Sequence, residues 1–435
     1  MTTAEERPTS NKQGNQLFFR ISSRIGVSGL PRQINVMLAL GFVQSLGRNM
    51  AFPYLAMFLT GSFKNGGLQF DPSLVGFMIM IGGLSNTFAL LVTGSLCDRF
   101  GRKRMMLASI GPLAALFAAF AYAHTYAEFL LLYAATAILG SLYDPAYRAM
   151  VADLVEPVRR EEVYGLSYMI GNVGTMIGPP VGGVLAAVGG YPILFVYAAF
   201  FMAATVIPFI FLIKESCPEG IRPPSLAQFA GILRDRIFIL FCVIGALTNL
   251  VYSQLYGMLS VYTQYVGFQP FVFGIFFSVN GAMVVGLQIP IRKGTMRLGS
   301  TRAFMLAQLL YAAGFMSFMF ATGFFEFLAG IVILTLGEIV FVPASSGFVA
   351  NLAPADMRGR YMAMAGLFFG VGGAAGSFVA FSIFDALGDK RLVWGYLGVI
   401  GFMTLIGYAY LFRLNKKKDQ RTGIAQTELQ NTRHD

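Results

Sequence analysis

Residues 72–123 read PSLVGFMIMIGGLSNTFALLVTGSLCDRFGRKRMMLASIGPLAALFAAFAYA. One apolar run covers 72–96 and a second covers 104–123, with a short basic turn between them. At about 1.5 Å of rise per residue, each run is long enough to cross about 30 Å of hydrocarbon as a helix. Barrel strands are excluded, because they are about ten residues long and alternate in polarity. The stretch predicts a helical hairpin through a membrane, with its charged turn on one surface.

The pattern continues in both directions. Apolar runs bounded by charge clusters predict twelve spans, at 34–60, 72–96, 104–123, 127–152, 162–188, 191–213, 237–265, 270–291, 301–322, 325–350, 359–385 and 392–413. Of the 435 residues, 56% are hydrophobic and only 12% charged, with a mean hydropathy of +0.65. A soluble domain carries about 25% charge, so a soluble enzyme is excluded. The expected fold class is an all-α membrane protein of twelve transmembrane helices.

The formal net charge of +11 raises the question of nucleic acid, and the positions of the charges answer it. With alternate loops on opposite sides, 27 of the 32 Lys and Arg fall on the side of the two tails. Lys64, Lys390 and Arg391 fall on the other side, and Arg48 and Arg148 lie within spans. This is the positive-inside distribution of a membrane protein with both termini cytoplasmic; no nucleic acid is expected. Short loops on the far side leave no room for an external catalytic domain. Cys97, Cys217 and Cys242 have neither paired spacing nor a metal signature, so no disulfide or metal is expected. The polar, basic N-terminus lacks the apolar core and cleavage site of a signal peptide.

Sliding the chain by 198 residues superposes Arg99, Gly101 and Arg104 on Arg297, Gly299 and Arg302, and Glu128 on Glu326. Pro145-Ala146 falls on Pro343-Ala344, Arg160 on Arg358, and Gly174 and Gly178 on Gly372 and Gly376. An even number of spans per half makes these parallel repeats, the plan of transporters that rock two bundles around a midplane site. The expected organisation is a tail at 1–33, bundles at 34–213 and 237–413, a linker at 214–236 and a tail at 414–435. The segment from Gln16 to Arg32 mixes apolar and basic residues as an interfacial helix would, and the polar tail beyond Asn415 is expected to be disordered.

The turn Gly94-Ser-Leu-Cys-Asp98-Arg99-Phe-Gly101-Arg102-Lys103-Arg104 resembles the signature cytoplasmic loop of the major facilitator superfamily. The resemblance implies a twelve-helix fold in two pseudo-symmetric bundles. It also implies a charge cluster of Asp98, Arg102 and Asp153 against the start of span eleven, a latch of the outward-facing state that includes Gly94 and Gly101. The second copy has Met296 where Asp98 sits, so one strong latch is expected. Span five reads Gly171-Asn-Val-Gly174-Thr-Met-Ile-Gly178-Pro179-Pro180-Val-Gly182-Gly183 and resembles the motif of the superfamily's drug:proton antiporters at Gly174, Gly178, Pro179, Gly182 and Gly183. Small residues let backbones approach closely, and the prolines kink the helix. Two departures stand out. Thr136 occupies a position where such antiporters often carry an arginine ahead of Gly140, and span one offers Gln44, Ser45, Arg48 and Asn49 rather than an acid.

An ionisable side chain in mid-span costs about 2.5–3.5 kcal/mol on insertion scales, so each survivor is a functional candidate. Four qualify: Arg48, Asp144, Arg148 and Glu338. Arg48 lies roughly 20 Å, and Glu338 roughly 18 Å, along their spans, both near the midplane; the resemblance implies that spans one, four, seven and ten line one chamber, which puts the two on its opposing halves. Glu338 falls on Gly140 in the repeat register, an asymmetry that argues for a role beyond folding. A carboxyl that alternates between dry and wet surroundings changes its proton affinity, so Glu338 and then Asp144 are the candidates for proton coupling. Asp144 and Arg148 are spaced to pair at i,i+4, and a static pair is the structural alternative. Arg48, Gln44, Asn49, Asn249, Tyr252, Tyr256 and Asn280 are the expected substrate contacts; polar-tipped aromatic faces suit an amphipathic ligand. Ser260 and Gln288 are weaker members of that set.

The sequence thus predicts a secondary transporter and no enzyme. It is expected to be a monomer in the plasma (inner) membrane, exporting amphipathic small molecules by proton antiport and alternating access. No nucleotide-binding loop is present, so the proton gradient is the expected energy source and no cofactor is needed. An uptake symporter, a lipid or glycolipid flippase and a non-transporting membrane protein are the alternatives.

Overall fold

The computed structural model describes residues 29–63, 66–216, 231–295, 298–354 and 357–431. The Gln16–Arg32 interfacial segment up to residue 28, Cys217, most of the linker, and Met296 and Arg297 lie outside the described residues. Helices α1 (Arg32–Thr60), α2 (Pro72–Phe100) and α3 (Arg102–Phe120) form the first three spans. The fourth is broken into α4 (Tyr126–Gly140) and α5 (Tyr143–Leu154), followed by α6 (Pro157–Gly189) and α7 (Pro192–Leu212). In the second half, span seven is broken into α8 (Arg236–Tyr252) and α9 (Met258–Val266) by a 3-10 turn at Ser253–Leu255. The chain closes with α10 (Pro270–Thr295), α11 (Ser300–Phe320), α12 (Phe324–Leu352), α13 (Arg358–Ala386) and α14 (Leu392–Asn431).

Eleven crossings among the described residues are long and apolar enough to span a membrane, the two broken ones each counting once. The twelfth, α1, has the length, but Gln44, Ser45, Arg48 and Asn49 interrupt its apolar sequence. Helix α14 continues past the membrane to Asn431, correcting the expectation of a disordered tail. Residues 415–431 contain no proline and are rich in Lys and Gln, and a helix already nucleated in the span extends through such residues cheaply.

The internal repeat is visible in the backbone. Gly101 and Gly299 precede α3 and α11 with φ of 94° and 75°, conformations only glycine adopts freely. Glu128 accepts the backbone N–H of His124 at 2.8 Å and of Thr125 at 2.9 Å. Its repeat partner Glu326 accepts those of Thr322 and Gly323 in the same way, capping α4 and α12 alike. A Cβ added at Gly174 would lie 2.2 Å from Ser45 Oγ of α1, and one at Gly372 would lie 2.0 Å from the Ala246 carbonyl of α8. Each half therefore packs its fifth span onto its first through matched glycines.

The halves meet through α6 with α10 and α2 with α13. All of these close approaches lie between the middle of the bilayer and the side opposite the termini. Gly183 meets Phe271, Gly274 meets Pro179 and Pro180, and Gly281 meets Asn172 and Met176. Across the other seam, Gly76 meets Phe381, Gly83 meets Ala374, and Gly370 meets Thr87. Towards the termini, Gly94, Gly165, Gly286, Gly359 and Gly366 have no foreign atom within 4 Å of an added Cβ. The two bundles are closed on the far side and splayed on the termini side.

Candidate functional site

A cavity of about 770 Å³ occupies the first half and its interface with the second. Its walls include Gln44, Arg48, Asn49, Thr136, Tyr143, Asp144, Arg148 and, from the second half, Tyr256. Helix α1 turns its interrupted polar face to this space. Gln44 donates to Thr205 Oγ1 at 3.2 Å, and Asn49 donates to the Ser45 carbonyl at 2.8 Å. Arg48 is exposed to the cavity and has no hydrogen bond, ion pair or aromatic face among the described residues.

The break between α4 and α5 places the other two charges. Pro145 has no N–H to offer the Ser141 carbonyl and its ring crowds it, while Ser141 Oγ donates to the Ile138 carbonyl at 2.6 Å. Asp144 and Arg148 both reach the cavity and both are exposed. The expected Asp144–Arg148 ion pair is not formed. The Arg148 guanidinium lies over the Tyr164 ring, 5.6 Å from its centroid, and the Tyr164 hydroxyl donates to the Arg148 carbonyl at 3.1 Å. An aromatic side chain from the next helix has taken the place of the neighbour one turn away.

Glu338 does not share this chamber, contrary to expectation. It is 6% exposed and lines neither the main cavity nor the smaller one beside it. Asn280 Nδ2 donates to Glu338 Oε2 at 2.9 Å and also reaches Thr335 Oγ1 at 3.0 Å. Asn280 is itself buried, so it positions the carboxyl and does not face substrate. Tyr252, Tyr256, Tyr311 and Tyr168 all stand within range of the Glu338 charge, and no cation pairs with it among the described residues.

Asn249 and Tyr252 line a separate cavity of about 280 Å³ within the second half, together with Tyr311, Ser345 and Ser346. Tyr256 joins the two regions: it lines the main cavity, and its hydroxyl is 3.4 Å from that of Tyr252. The tighter 3-10 turn at Ser253–Leu255, with Gly257 after it, carries Tyr256 out of the helical register of α8.

On the termini side, Arg102 bonds Asp98 at 3.3 Å and Asp153 at 3.1 Å and is 3% exposed. The structure thus brings the three expected cluster residues together, and adds Glu215. This carboxylate accepts the backbone N–H of Arg102 at 2.8 Å and of Lys103 at 3.1 Å, at the start of α3, where a negative charge is favoured. A Cβ at Gly101 would lie 2.5 Å from Glu215, so that glycine serves both the turn and the docking of the linker. Ser216 donates to Asp153 at 2.9 Å. Gly94 stands apart in open space. The cluster's ion pairs are intact although the termini side is splayed.

The antiporter-motif residues work on two faces of α6. Gly174, Gly178 and Gly182 meet Ser45, Asn49 and Met50 of α1, whereas Gly183 and the Pro179–Pro180 pair meet α10 of the other half. Tyr54 is a further member. Its hydroxyl reaches the carbonyls of Pro179 and, at 3.2 Å, of Pro270, tying both halves at the closed side. A lone tyrosine in an apolar run gives no sequence signal of that role.

Two six-helix bundles around a charged cavity closed at one end define the class of secondary transporters. The Major Facilitator Superfamily model matches residues 37–302 and 287–432, and the chain belongs to that family. It is similar to a Na(+), Li(+), K(+)/H(+) antiporter of Planococcus maritimus, 27% identical over 426 residues that cover 90% of this chain and 97% of the relative. It is also similar to the multidrug resistance protein MdtH of Salmonella arizonae, 26% identical over 344 residues covering 76% of this chain and 82% of that one. Among solved structures, a peptide transporter POT in complex with sulfate superposes with a TM-score of 0.76 at 17% identity, covering 90% of this chain and 95% of that one. The drug:proton antiporter resemblance of the motifs agrees with these relatives, and the protein is a multi-pass integral membrane transporter.

Proposed function

We propose that the protein is a proton-coupled antiporter that exports amphipathic small molecules by alternating access. In this reading it sits in the plasma membrane with both termini cytoplasmic, an orientation supported by the 27 of 32 Lys and Arg on the termini side. The splayed side is then the cytoplasmic one, and the state described is inward-open. The observation that carries the reading is the separation of charges: Arg48 and Asp144 face an open cavity, while Glu338 lies buried beyond Tyr256 without a cation. A buried carboxyl held by an amide is a proton site whose affinity follows its access to water. Tyr256 touches both regions, so substrate in the cavity and the proton on Glu338 influence each other through one side chain.

Exchange of a monovalent cation for protons is a second reading, favoured by the Planococcus relative's name. Proteoliposomes with an acidic lumen and an internal pH dye test both. An antiporter alkalinises the lumen when its substrate is added, and an uptake symporter acidifies it further. Alkali salts and amphipathic compounds added separately distinguish the two antiport readings. Glu338→Gln exchanging substrate with unchanged pH dependence would refute the assignment of coupling to this residue.

A further inference from the structure

We infer that the cavity selects amphipathic organic anions, with Arg48 as the group that binds their charge. This deepens the reading of the main cavity as the substrate chamber and rests on it. The charged residues lining that cavity are Arg48, Arg148 and Asp144, a formal excess of one positive charge. Arg148 is engaged with Tyr164. Arg48 has no partner among the described residues, and a guanidinium open to the cavity is a fork-shaped donor for a carboxylate, sulfonate or phosphate.

A second observation points the same way. The hydroxyls of Ser109, Thr136 and Tyr143 are buried with no hydrogen-bond partner, and all three residues line this cavity. Buried polar groups are ordinarily satisfied, and the amides of Gln44, Asn49 and Asn86 in the same walls are. What remains is a cation without a partner, beside hydroxyls that can donate to an acceptor-rich group as well as accept. Tyr143 and Arg48 line the same cavity.

The apolar part of the ligand has its own place. Phe52, one turn beyond Arg48 on α1, packs edge-on against Phe117 at 5.1 Å and Tyr133 at 6.0 Å, and all three line the cavity. A ring seated there would carry its acidic group back to Arg48. A volume of about 770 Å³ suits a drug-sized molecule. Asp144 is the cavity's lone carboxylate among the described lining residues and stands on α5, towards the termini. A lipophilic cation bound beside Arg48 would meet a like charge, which disfavours it. Exchange of one monoanion outward for one proton inward moves two positive charges inward, so export of such a substrate responds to membrane potential as well as to pH.

The test uses the full chain, purified in nanodiscs, and a matched pair of probes, 2-naphthoate and 2-naphthylmethylammonium, titrated by calorimetry. The inference predicts that the anion binds at least tenfold more tightly than the cation. It also predicts that Arg48→Gln weakens the anion about tenfold to a hundredfold, the scale of one charge-assisted hydrogen bond. Arg48→Lys should restore part of the loss, and Tyr143→Phe should weaken the anion about threefold while preserving the fold. Equal or tighter binding of the cation, or anion binding indifferent to Arg48→Gln, overturns it. Proton exchange driven by some other substrate, with neither probe bound, overturns this inference and leaves the antiport reading standing. Selective anion binding without proton-linked transport supports the site and sinks the antiport reading.

Discussion

Spans four and ten occupy the same place in the two halves, yet one turns its charged residues into the main cavity and the other buries its acid. In the first half, Ser141 and Leu142, just after Gly140, interrupt the helix ahead of Pro145, and Asp144 and Arg148 turn to the cavity. In the second, α12 runs unbroken through Pro343 and buries Glu338 where Gly140 stands in the repeat. The two prolines are in register, so proline alone does not decide the break. Ahead of Pro343 stand Ile339 and Val340, 1% and 3% exposed and packed in the core, which hold the helix together. Ahead of Pro145 stand a glycine with nothing near it and a serine that bonds its own backbone. Within a duplicated plan, one half holds a cavity lined by charged residues and the other a sequestered acid.

That contrast can be broken most forcefully at the acid. Glu338→Gln is expected to cut proton-driven exchange in proteoliposomes at least a hundredfold, about 2.7 kcal/mol, whereas Asp144→Asn should cost less than tenfold. Equal losses would mean that the two halves share the coupling. Moving the acid sharpens the point. Gly140→Glu should fold, since an added Cβ meets nothing within 4 Å, but combined with Glu338→Gln it should not restore exchange, because no counterpart of Asn280 holds the new carboxyl.

Smaller effects test the termini-side cluster of the first half. Arg102→Ala leaves Asp98 and Asp153 facing each other without their cation, and should cost about 3 kcal/mol of stability, read as a lower melting temperature in detergent. Glu215→Gln removes the charge at the start of α3 and should cost about 1 kcal/mol. On the far side, Arg391 holds the Asp389 carboxyl below its ordinary range by side-chain and backbone hydrogen bonds. Its contribution is therefore present above the usual carboxylate range and fades as the pH falls through that range. Because the pair is exposed, Asp389→Asn should leave the melting temperature at neutral pH unchanged within error.

Much of this was legible in the sequence. The twelve crossings follow from apolar length, the parallel halves from the 198-residue register, and the Arg102 cluster from the loop around Gly101. Depth along the membrane was legible as well, and Arg48 and Glu338 both lie in mid-span as expected. Direction around the helix axis was not, since spans with polar residues on several faces have no single period to read. The sequence therefore places Glu338 in the shared chamber, whereas it lies buried beyond Tyr256. Likewise, i,i+4 spacing predicts that Asp144 can meet Arg148, but the choice went to Tyr164, which only tertiary packing brings near. The break at Ser253–Leu255 left no proline or paired glycine to announce it, and with it went the position of Tyr256.

The central claim is that the proton is carried by Glu338 in the second half while the solute occupies the first. Substrate-induced proton release from purified protein in weakly buffered detergent tests it most directly. The account predicts protons released on substrate addition to the wild type, and none from Glu338→Gln although that variant still binds substrate. Release from Glu338→Gln equal to the wild type would contradict it.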